Sequence, residues 1–195
     1  MTHRSQRRRL AGLALVCATA LLTQAGIARD TAAQGTVSAV QLEQRVKAAF
    51  LYKFLGYAEF PATAFADGTA PFVIGVVGAD ELAAELARIV AGRTVGNRGV
   101  VVRALRETDL PVPLHLLFVA GADAARVGRV VHLATGPALV VTDCDGGLLL
   151  GSAINFVIVD ARVRFDVEPE AAERNGVKLS SRLLTVANRV VKGAQ

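Results

Sequence analysis

Three groups of side chains in this chain have types and spacings that could do chemistry. The first is Asp143-Cys144-Asp145, two carboxylates and a thiol beside a glycine-rich loop. Such a set can hold a cation or move a proton. It falls short of a metal site, because neither His115 nor His132 is close to it in sequence. Turn formation is the simpler role for carboxylates placed before glycines. The second group is Arg162 and Arg164, two apart in a segment of strand character, so both guanidiniums leave one face while Val163 and Phe165 take the other. The third is Ser180-Ser181-Arg182, at the start of the last helical segment. Unpaired N–H groups at a helix start attract anions, and hydroxyls and a guanidinium add to the attraction. The competing reading is an ordinary serine cap and a solvated arginine. If the hairpin packs beside the last helix, Ser180, Ser181, Arg182 and Arg164 form an anion-binding groove. Gly75 to Asp80 follows a strand but lacks the G-x-G-x-x-G spacing, so it reads as a structural turn. The sequence therefore predicts no catalytic residues, no metal and no cofactor.

The elements that must position these groups alternate between strand and helix. Ser38 with Gln41 reads as a capping box opening a helix that runs to about Tyr57 before Pro61. Its apolar residues Val40, Leu42, Val46, Ala49, Phe50, Phe54 and Tyr57 recur at three- and four-residue spacings. Leu51, Phe54 and Leu55 exceed what one helix face buries, so they are expected to form an exposed partner-binding patch. Pro71–Gly78, Gly99–Ala104, Leu114–Ala120 and Ala138–Thr142 are short apolar runs typical of strands buried on both faces. Helices capped at Asp80 and spanning roughly Asp123–Ala134 separate them. Ala153–Val159 and Arg162–Val167 form an antiparallel hairpin turning at Asp160-Ala161. Two short helices follow, one with Pro169 in its first turn and Asn175-Gly176 at its end. The expected fold is a single, three-layer-like α/β domain with a mostly parallel sheet, plus the C-terminal hairpin and the two short helices.

The ends and the charge bound the function. Arg4, Arg7, Arg8 and Arg9 precede the apolar run Leu10–Leu22, and Gly26 and Ala28 suit cleavage after Ala28. Residues 1–28 read as a signal peptide, 29–37 as a flexible mature N-terminus, and 38–192 as the folded domain. An uncleaved N-terminal anchor is the competing reading. The chain carries 22 basic and 17 acidic residues; four arginines leave with the leader, so 18 against 17 remain, a net +1. That balance argues against a nucleic-acid surface. Cys17 also leaves with the leader, and Cys144 remains as a lone thiol with no intrachain disulfide partner.

Several segments, in order, carry a resemblance: V-K-A-A-F-L-Y-K-F at 46–54, F-V-I-G-V-V-G at 72–78, H-L-L-F-V at 115–119, V-T-D at 141–143, I-N-F-V-I at 154–158, R-V-R-F-D at 162–166 and L-S-S-R-L-L at 179–184. Together they resemble the YfiR-like (YfiR/HmsC) family of small periplasmic proteins. The resemblance implies a non-enzymatic, often dimeric α/β protein that binds the periplasmic sensor region of an inner-membrane diguanylate cyclase and represses it. Cyclic di-GMP and biofilm output would then be lowered. It further implies a small anionic or aromatic ligand near the last helix, with Ser180 and Arg182 as the transferable positions. Glu59 stands near where the family carries a basic residue, which counts against a nucleotide-like ligand. The paired cysteines of some members are absent. The alternative is a periplasmic small-ligand-binding accessory module of a sensor kinase or an outer-membrane transport system.

Overall fold

The computed structural model describes residues 24–193, so the leader expected at 1–28 lies largely outside the described residues. The chain divides into two compact units, residues 1–42 and 43–195. In the first, helix α1 (Gln24–Leu55) is already under way. The expected start at Ser38 is therefore corrected: Ser38 lies within the helix, and residues 29–37 have helical backbone. Ala32, Ala33 and Gln34 are strong helix formers, and Gly35 is the weakest position in that stretch, at about 1 kcal/mol relative to Ala.

The second unit is built on an eight-stranded sheet. In chain order its elements are β1 (Ala58–Glu59), β2 (Phe72–Val77), α2 (Asp80–Val90), β3 (Thr94–Val95), β4 (Arg98–Leu105), β5 (Leu116–Ala120), α3 (Ala124–His132), β6 (Leu139–Asp143), β7 (Ile154–Val159), β8 (Arg162–Val167), α4 (Pro169–Arg174), β9 (Lys178–Leu179), α5 (Ser181–Val186) and β10 (Arg189–Val190). The sheet order is β10-β8-β7-β6-β5-β2-β4-β3. The five strands β4, β2, β5, β6 and β7 are mutually parallel. The chain starts in the middle at β2, steps outward to β4, then crosses back to β5 and continues away, the order of a doubly wound sheet. The hairpin continues this sheet, with β8 antiparallel to β7 and β10 parallel to β8. β1 and β9 form a separate antiparallel pair.

Two apolar layers sandwich the sheet. On one face Ile74, Val76, Leu116, Phe118, Val141, Ile154 and Phe156 pack against α1, α2 and α5. On the other, Val77, Leu117, Val119 and Val140 pack against Val127, Val130 and Val131 of α3. Alternation along buried parallel strands explains why both faces are apolar. The mixed α/β fold with a largely parallel sheet agrees with the sequence reading. The hairpin turn does too: Asp160 and Ala161 both have positive φ, 49° and 55°, the geometry that matches strand twist in a two-residue turn.

Candidate functional site

The hairpin and the last helix meet, but not as an anion groove. Ser180 is the N-cap of α5, its Oγ accepting the Arg182 N–H at 3.3 Å, while the Ser180 N–H donates to the Tyr57 carbonyl at 2.8 Å. The Ser181 carbonyl accepts the Thr185 hydroxyl at 3.0 Å. Arg182 is exposed. Phe165 faces α1, its ring 5.4 Å from Phe50 and 5.0 Å from Phe54, and α5 packs on that same side through Leu183. Arg164, one step along β8, therefore leaves by the opposite face. The expectation that Arg164 joins Ser180, Ser181 and Arg182 in one groove is corrected by this strand alternation.

The partner patch is corrected as well. Leu51 is 0 % exposed, and Phe54 and Leu55 are each 1 %. α1 is covered along one stripe by the sheet and along the next by Phe165 and α5, so its wide apolar surface is core rather than a free face.

What the hairpin and α5 do form with α1 is an apolar pocket of ≈ 380 Å³. Val46, Ala49, Phe50, Phe54, Phe165 and Leu183 line it; exposed Val186, Lys53 and Tyr57 stand at its rim. Such a site suits an apolar or aromatic group, with the Lys53 ammonium placed for a carboxylate at the mouth. The sequence reading found Ser180 and Arg182 near this place but missed Lys53, the cation that belongs to it. Its signal was its position seven residues after Val46 and three after Phe50, on the same helix face.

The acidic cluster has a partner that sequence reasoning missed. Lys47 of α1 is 3 % exposed, and its Nζ lies 2.6 Å from Asp143 Oδ2 and 2.5 Å from Glu43 Oε1. Burial favours the neutral amine, but the hydrogen bonds and charges of Asp143 and Glu43 outweigh it and raise the Lys47 pKa above its ordinary value. Its signal was the register: Lys47 falls four residues before Leu51, on the buried stripe. Below Asp143, the Thr142 hydroxyl hydrogen-bonds Ser152 Oγ and Asn155 Oδ1, both at 2.8 Å. Gly147 packs so closely that a Cβ there would overlap both Thr142 and Asn155. Burial first, then the Asp143 and Asp145 carboxylates, push the Cys144 thiol above its ordinary value. A thiol kept protonated is a poor nucleophile and a poor ligand. Among the described residues no group of three or more His, Cys, Asp and Glu side chains is placed to hold a metal.

This doubly wound domain, with its pocket closed by the hairpin and last helix, matches a family model described as YfiR/HmsC-like over residues 44–188. The chain belongs to that family, whose members are regulatory, non-catalytic and periplasmic and act in the regulation of diguanylate cyclases. No curated protein matches the chain. Among the described residues no helix is long and apolar enough to cross a membrane.

Proposed function

We propose that this protein is a periplasmic repressor that binds the sensor region of an inner-membrane diguanylate cyclase and so lowers cyclic di-GMP and biofilm output. The observation that carries the reading is the family match across most of the folded unit, residues 44–188. The net +1 of the chain without its leader gives no strongly basic surface for nucleic acid and is in keeping with a protein-binding regulator. Export by the N-terminal leader belongs to the same proposal, and N-terminal sequencing of periplasmic protein should begin at or near Arg29. Deleting the gene should raise cyclic di-GMP, and restoring it should reverse the rise. Leu51→Glu is not a suitable interface variant, because Leu51 is core. Val186→Glu is: it is 60 % exposed at the pocket rim, so the fold should survive while any function of that surface is lost.

The pocket between α1, β8 and α5 favours a second reading, a small-ligand-binding accessory module of a sensor kinase or outer-membrane transport system. Its chemistry selects an aromatic or apolar carboxylate. Calorimetry with phenylacetate should show binding that Lys53→Met weakens and Arg182→Ala leaves unchanged. No heat at millimolar phenylacetate would count against a ligand of this class.

A further inference from the structure

The sheet rim farthest from the hairpin is open. β4 is eight residues long, but β3 pairs only with its Arg98 and Gly99. From Val100 to Leu105 β4 pairs with β2 on one side, and no described strand pairs with it on the other. Parallel crossovers usually carry a helix that would cover this end. Here residues 106–115 make the crossover to β5 with a short 3₁₀ turn at Glu107–Asp109 and prolines 111 and 113. The face bearing Val101 and Arg103 is left uncovered at the edge, with Val101 41 % exposed. On the opposite face a hollow of ≈ 500 Å³ follows the same rim, lined by Ala87, Val90, Val100 and Val102.

Natural sheets blunt long apolar edges with prolines, bulges or charges, because unpaired backbone groups there template another strand. Of these devices β4, R-G-V-V-V-R-A-L, has only its two arginines. Charge distinguishes between occupants. The segment 91–105 contains Arg93, Arg98 and Arg103 and no carboxylate. Arg98 is engaged by the Asp67 and Ala70 carbonyls at 3.0 and 2.7 Å, and Arg93 lies over the Tyr52 ring. Arg103 forms no ion pair with a described carboxylate and is exposed. A second copy docking by the same edge would set these cations against one another. An acidic strand would meet them with opposite charge.

We propose that the β4 edge from Val100 to Leu105 is a docking site for an extended, acidic segment of a partner polypeptide, which joins the sheet as a further strand with a carboxylate beside Arg103. This mode takes affinity from main-chain hydrogen bonds and specificity from alternate side chains. It does not depend on the repressor reading. The probe is a capped hexapeptide of alternating valine and glutamate, titrated into the intact protein and followed by backbone amide shifts and hydrogen exchange. Shifts and new protection should be confined to residues 99–105 and should weaken with salt. Arg103→Glu should weaken binding by roughly fivefold or more, and a valine–lysine peptide should bind worse than the acidic one. Equal binding of the two peptides, perturbation centred elsewhere, or no binding at millimolar peptide would overturn the proposal. So would self-association of the free protein that Val101→Lys abolishes, which would assign the edge to a second copy.

Discussion

At the scale of single residues, the charges that matter are the buried ones. Lys47 serves two carboxylates that differ from it in exposure: its side chain is 4 % exposed, those of Asp143 and Glu43 28 % and 37 %. Asp143→Asn leaves a buried ammonium with one partner, whereas Lys47→Met leaves two carboxylates that reach water. The first should cost more in a denaturant melt, on the order of 1–3 kcal/mol; the reverse order would show that the triad is not what holds Asp143. His115 gives a pH prediction. Its Nδ1 accepts the Val73 N–H at 3.0 Å, and Phe60, Phe65 and Phe72 surround the ring. Burial lowers its pKa; the Ala64 carbonyl opposes this and Arg98 adds to it. The unfolded chain binds a proton near pH 6.5 that the folded protein binds only at lower pH. The stability contributed by neutral His115 is therefore complete above about pH 6.5 and is lost as pH falls below it. Thermal melts between pH 7 and 5 should show this loss, and His115→Gln, which keeps an acceptor for Val73, should flatten the profile across that range.

At the scale of elements, legibility followed how local the determining physics is. The hairpin turn, Pro169 in the first turn of α4 and the stop near Gly176 are dictated by a few adjacent residues, and the sequence reading places all three; it leaves the last cap between Ser180 and Ser181, and Ser180 takes it. The two-residue strands β1, β9 and β10 were not legible, because each exists only through a partner distant in sequence, such as Ala58 opposite Leu179; β3 pairs locally with Arg98 and Gly99 but is too short for alternation to show. The fate of α1's apolar surface was hidden for the same reason: periodicity shows how wide a stripe is, not how many layers cover it. Arg164 was misplaced because alternation fixes its face relative to Phe165, while only the fold says which face α5 takes. Ser180→Ala should cost about 1 kcal/mol, within the 0.5–2 kcal/mol range for lost caps, and leave phenylacetate binding unaltered. Gly147→Ala forces a methyl into Thr142 and Asn155 and should destabilise by about 1–3 kcal/mol; a neutral result would mean the 147–150 turn can shift away from β6 and β7.

At the scale of the molecule, the doubly wound sheet carries distinct surfaces at its two ends. The hairpin end is closed by α1 and α5 around an aromatic pocket; the β4 end offers unpaired backbone and cations. The proposed ligand pocket and the proposed strand-docking edge thus lie at opposite ends of the sheet order. The most direct test of the repressor reading is the cyclic di-GMP content of cells lacking the gene, measured beside the parent and a complemented strain. A rise on deletion that complementation reverses is the predicted result; an unchanged level would contradict repression of a diguanylate cyclase.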